Sequence, residues 1–182
     1  MKTVIPFYPK AIINSDGDTK NDCEKNAAKR FIINLKEDHP KLNLIVAADS
    51  LYSDTVFIAL LKRSQLSYVL NAKPGKNKYL FESIEGMKLT NAVTSFETEE
   101  IIGDKIKKKM LRKYTFVNDI RLTSEHELKV NFLDFEEIIT WENKKGLQEE
   151  RVHFSWVSDI EISKDNAYNI MKIGRVRWKP RE

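Results

Sequence analysis

The sequence predicts a mixed α/β fold, and three observations carry the prediction. Between residues 24 and 73 a helical pattern, an apolar run, a second helical pattern and a second apolar run follow one another, which is the order that builds a βαβ unit. From about residue 88 to 160 come four stretches rich in aromatic and β-branched residues, with glycine, asparagine and lysine between them, as antiparallel strands favour. A helical pattern then closes the chain.

The elements follow in order. Residues 24–36, EKNAAKRFIINLK, place Ala27, Ala28, Phe31, Ile32 and Leu35 at helical spacing, with Asp22 available as a cap and Glu24 in the first turn. After His39-Pro40 the run LNLIVAAD is apolar at successive positions, which predicts a strand covered on both faces and ending at Asp49. SDTVFIALLKRS (53–64) returns to a helix with Ser53 as its expected cap, and LSYVLNAK (66–73) is the next strand, turned by PGKN. The pair should be parallel with a right-handed crossover.

Residues 78–85 receive no element from this reading. TSFETEE, MLRKYTFVNDIRL, LKVNFLDFEEIITW and ERVHFSWVSDI are the expected antiparallel strands, with Trp141 and Trp156 packed in the core. SKDNAYNIMKIGRVRW (163–178) is the last helix, capped by Ser163 with Asp165 in its first turn.

Length and composition bound the function classes. The 182 residues, 41% of them hydrophobic, suit one soluble globular domain. No apolar run reaches the roughly 20 residues of a membrane span, and MKTVIPFYPK lacks the features of a signal peptide, so the expected location is cytoplasmic with no membrane partner. Cys23 is the only cysteine, which excludes an intrachain disulfide, and His39, His126 and His153 lie too far apart for a zinc spacing. The formal charge is only +4, yet it concentrates in KIKKKMLRK (105–113) and KIGRVRWKPR (172–181). Such stretches either neutralise phosphates or form solvated lysine-rich surface.

Asp49 is the first candidate for chemistry, because ligands of open α/β sheets gather at the carboxyl ends of strands. The competing reading makes it a cap of the following turn, a role that Ser50, Ser53 and Asp54 could also take. One aspartate does not hold the paired ions of phosphoryl transfer, so partner acids are sought in DGDTKNDCE (16–24), SDIE (158–161) and Glu182. Lys73 is another strand-end residue, able to approach a phosphate or simply to sit in its turn. Cys23 has no histidine near it and reads as a small buried hydrophobe. KPGKNK lacks the spacing of a phosphate-binding loop.

Three segments resemble the DDE-type transposases of bacterial insertion sequences: INSDGDTKNDCEKNAAKRFI (13–32), IVAADSLYSDTVFIALLKRSQLSYVLNAKPG (45–75) and FSWVSDIEISKDNAYNIMKIGRVRWK (154–179). The resemblance implies a ribonuclease H-like mixed sheet carrying a β-rich insertion at about 88–160. It implies that residues 1–182 form a single partial catalytic domain, incomplete at both ends. It also implies two divalent ions, Mg²⁺ or Mn²⁺, that promote strand cleavage and strand transfer on transposon ends and target DNA.

Asp49 falls on the family's second aspartate, as a catalytic metal ligand, and Arg175, Arg177 and Lys179 fall where similar transposases touch DNA. Asp16, Asp18, Asp22 and Glu24 do not match the first-aspartate motif and read as acids that cap or solvate a helix. Four positions after Arg177, where the family has its glutamate, this chain has Arg181; Glu182 stands one place late and follows Pro180, which disfavours a continuing helix.

The expectation is therefore a nucleoid-associated, catalytically impaired transposase fragment, whose partners are DNA and possible further copies of itself or a full-length transposase. Two alternatives stand beside it: a non-catalytic DNA-binding module or inhibitor derived from a transposase, and a decayed gene product that barely folds.

Overall fold

The computed structural model describes residues 9–12, 19–103, 107–144 and 146–176. The elements are α1 (Lys20–Asp38), β1 (Ile45–Ala48), α2 (Thr55–Arg63), β2 (Ser67–Asn71), α3 (Lys78–Leu89), β3 (Thr94–Ile102), β4 (Lys108–Arg121), β5 (Lys129–Asn143), β6 (Gly146–Ser158) and α4 (Ala167–Arg175). All six strands belong to one mixed sheet in the order β1-β2-β6-β5-β4-β3. β1 and β2 are parallel, as expected of strands joined through a helix, and every other pairing is antiparallel.

The β-rich stretch thus continues the sheet of the α/β half. β6 returns alongside β2, with Val69 opposite Ser158, Leu70 opposite Val157 and Asn71 opposite Trp156. Period-two alternation sends the two faces of the sheet into two cores. One gathers Tyr68, Leu70, Phe132 and Val157 with Ile32 of α1, Phe57, Ile58 and Leu61 of α2, and Leu80 and Ile84 of α3. The other gathers Val69, Tyr114, Leu133, Phe135 and Trp156 under Ala167, Ile170 and Met171 of α4. Helices therefore lie on both faces, and the sheet is the middle layer.

α4 seats closely on the second core because Gly174 meets the indole of Trp156: a Cβ at Gly174 would lie 2.3 Å from the ring nitrogen. Glu137, buried in β5, fastens the same helix. Its carboxylate accepts from Arg112 on β4 at 3.0 Å and from Arg175 on α4 at 2.9 Å. A register shift between Val117 and Ile120 leaves Asn118 free to bond the backbone of Ile162 in both directions, which secures the approach to α4.

Several expectations are corrected. α1 starts at Lys20, so Asp22 lies inside the helix and not ahead of it. β1 is not covered on both faces: Ile45 is 45% exposed and Ala47 is exposed, and among the described residues β1 is an outermost strand of the sheet. The cap of α2 is Asp54, which accepts from the Phe57 amide at 2.9 Å. Ser53 is fully buried and turns inward instead.

The last helix begins at Ala167 and not at Ser163. The Asn166 carboxamide accepts from the Ser163 amide and donates to the Glu161 carbonyl, holding a turn where the helix was expected to start. Residues 78–85, given no element from the sequence, belong to α3. Trp141 is only half-buried, near the β5–β6 hairpin, with the Lys108 ammonium 4.4 Å from its ring centre; Trp156 is in the core as expected.

Candidate functional site

The carboxyl ends of β1 and β2 come together at one end of the sheet, where two loops are stapled by Asn77. This buried residue follows the PGKN turn; its carboxamide donates to the Ser53 carbonyl at 2.8 Å, and its oxygen lies 3.0 Å from the Ser53 hydroxyl. The same oxygen accepts from the Lys73 amide at 3.4 Å. Asn77 thereby ties the loop after β1 to the turn after β2. Sequence patterning points to Asp49 and Lys73 but not to Asn77, whose one signal is its place in a turn just past a strand end.

Asp49 directly follows β1 and is half-buried. Its backbone is extended, and its carboxylate accepts the Leu51 amide at 3.0 Å, capping the short 3-10 turn Ser50–Tyr52. Strand-end position and turn cap are thus both true of this one residue. Asp54 pairs with Lys25 of α1 at 2.7 Å and with Lys76 at 3.8 Å. Glu24 accepts the Tyr52 hydroxyl at 2.8 Å. Lys76 also donates to the Leu51 carbonyl, reaching from the end of β2 to the end of β1. Burial holds its ammonium below the usual lysine range; Asp54 pulls it back up, Lys25 pushes it further down, and Asp49 again raises it.

This donor set does not make a two-ion centre. Paired Mg²⁺ or Mn²⁺ ions need several carboxylate oxygens converging on a gap of roughly 4 Å. Among the described residues no three His, Cys, Asp or Glu side chains converge. Asp54 and Glu24 are committed to Lys25 and Tyr52. Asp16, Asp18 and Glu182 lie outside the described residues.

The cationic candidates separate as well. The Lys73 side chain is exposed in the turn after β2. Arg175, on α4, is held by Glu137, and its guanidinium lies 5.8 Å from the ring centre of Phe135 and 5.7 Å from that of Phe154. Its position is that of a residue fastening a helix to the sheet. Arg177 and Lys179 lie outside the described residues.

The basic stretch 105–113 is neither a loop nor a bare patch over its described part. It runs into β4, where Lys109 pairs with Glu99, Arg112 with Glu100 and Glu137, and Lys113 with Glu97 and Glu136. The neutralising acids come from β3 and β5.

No protein-family model matches the chain, and no curated protein matches it. Among the described residues no helix is long and apolar enough to cross a membrane.

Proposed function

We propose that the chain acts on DNA as the Asp49-bearing part of a DDE-type transposase catalytic domain with a ribonuclease H-like sheet, and that by itself it binds DNA without turning it over. One observation carries the reading: the aspartate of the family-like segment 45–75 stands at the carboxyl end of a parallel strand, where α/β sheets keep their ligands. Helices on both faces and a β-rich stretch between β2 and the last helix agree with it.

Impaired catalysis follows from the donor set. Among the described residues no three His, Cys, Asp or Glu side chains converge to hold paired Mg²⁺ or Mn²⁺ ions. DNA affinity should be modest, because Lys25 and Lys76 share Asp54, Arg175 is held by Glu137, and the acids of β3 and β5 offset β4.

The purified chain should bind duplex DNA at low salt, with a log–log salt slope of about −2, the value for some two phosphate contacts. Lys73→Glu should weaken binding and flatten that slope. In Mg²⁺ or Mn²⁺, strand cleavage and strand transfer should stay at background. Absence of binding at low salt would sink the DNA reading. Turnover that Asp49→Ala abolishes would show a complete centre and overturn the impaired part.

A further inference from the structure

Given the DNA reading above, we infer that Arg112, Lys172 and Arg175 form a surface for DNA backbone phosphates at the seam between α4 and β4, and that Glu100 is the removable acid that keeps it closed. The cluster is assembled from two elements far apart in the chain. Arg112 lies on β4, opposite Thr98 of β3 and Glu137 of β5, while Lys172 and Arg175 are in the last turn of α4. Tyr168, on α4 and 44% exposed, joins the two sides: the Lys172 ammonium is 5.4 Å from its ring centre and the Arg112 guanidinium 5.7 Å.

Two acids restrain these three cations, and they differ in how firmly they do so. Glu137 holds both arginines with a side chain only 7% exposed; Oε2 accepts from Arg112 Nε at 3.0 Å and Oε1 from Arg175 Nη1 at 2.9 Å. Losing that carboxylate would strand two cations in a poorly solvated place, so a phosphate does not displace it.

Glu100 is held less firmly. It stands on β3, an outermost strand among the described residues, accepts from Arg112 Nη1 at 3.0 Å, and has a side chain 57% exposed. An ion pair with so wet a partner has little net free energy to lose, and a DNA phosphate offers the guanidinium the same charge-assisted bond.

Charge then selects the ligand. Three cations against two acids leave one positive charge, and two once Glu100 turns away. Glu137 stays and fixes the directions of both guanidinium groups, so the surface is oriented before an anion arrives. Lys172 is exposed beside it. Duplex DNA meets several cations at once and releases a counterion for each phosphate neutralised, so it gains most from such a surface.

Salt titration of duplex DNA binding on the full chain tests the inference with Glu100→Gln, Lys172→Gln and the double variant. Glu100→Gln should tighten binding at low salt about fivefold and steepen the log–log slope by about one, the value for one further phosphate contact. Lys172→Gln should change the native chain less than about twofold yet remove most of the gain in the double variant, because a phosphate comes beside Lys172 only after Glu100 has left. All three variants should keep the native urea midpoint.

Unchanged affinity and slope in Glu100→Gln, with the native chain still binding, would overturn the inference and leave the DNA reading standing. Equal gains with and without Lys172 would also overturn it, since a uniform rise in net charge explains them. A lowered midpoint in Glu100→Gln would do the same, because Glu100 would then be a part of the fold and not a removable acid. DNA bound by neither the native chain nor Glu100→Gln would sink the DNA reading, and this surface with it.

Discussion

β1 and β2 are neighbours, parallel, and similar as sequences: IVAA and SYVLN are both short apolar runs. Their surroundings differ. β2 lies between β1 and β6, with helices on both faces, and Tyr68, Val69 and Leu70 are fully buried. Among the described residues β1 has a strand on one side, and Ile45 keeps 45% of its surface exposed. An unbroken apolar run reports that a strand is suited to cover, not that the cover is present. β1 also leads directly into Asp49, so the less covered strand of this parallel pair carries the candidate chemistry.

The largest expected effect takes equal truncations on the two strands, measured by urea unfolding. Leu70→Ala should cost about 3 kcal/mol, as full burial implies, and Ile45→Ala about 1 kcal/mol, as a half-exposed side chain implies. Equal costs would mean that β1 is buried as deeply as β2, and the contrast would fail.

How much of this was legible follows from the range over which each signal acts. The order of elements could be read because period and turn chemistry are local: the strands of 94–158, the parallel pair and the helix of α1 all lie where the pattern places them. Edge or centre could not be read for β1, because strand order depends on β6 returning beside β2 from more than eighty residues away. The charge of 105–113 misleads for the same reason, since its counter-charges arrive by cross-strand pairing. The start of α4 shifts because one carboxamide, that of Asn166, claims the backbone before the helix does. Of the site, Asp49 and Lys73 were legible as strand-end residues, while Asn77, which joins their loops, was not.

Gly174→Ala comes next in size. It places a methyl group against the buried indole of Trp156 and should lift α4 from β2 and β6. A cost of about 2 kcal/mol is expected for such overpacking, read as a lower urea midpoint with faster exchange in β2. Losing this cover would make β2 resemble β1 on one face. An unchanged midpoint would show that α4 contributes little to the difference between the strands.

On the β1 side, Asp49→Ala removes the acceptor of the Leu51 amide and should cost about 1 kcal/mol, whereas Asp49→Asn keeps an acceptor and should cost only a few tenths. The pair separates turn capping from chemistry. If Asn loses as much stability as Ala, the negative charge and not the cap is what holds this turn.

The smallest effect concerns Lys76, which spans from the end of β2 to the Leu51 carbonyl at the end of β1. Burial lowers its pKa in the folded chain, so between that lowered value and the unfolded value of about 10.4 the unfolded state binds more protons. Stability contributed by this group must then rise with pH across that window. Below it both states are protonated and the full cost of burying the ammonium is present; above it the cost is gone. Stability of the native chain relative to Lys76→Met should therefore increase from neutral pH towards about 10.4. Asp54→Asn removes the strongest influence that raises the pKa, so the window should widen downwards. A flat difference between native chain and Lys76→Met across that range would mean that Lys76 stays in water and does not bridge the two strand ends.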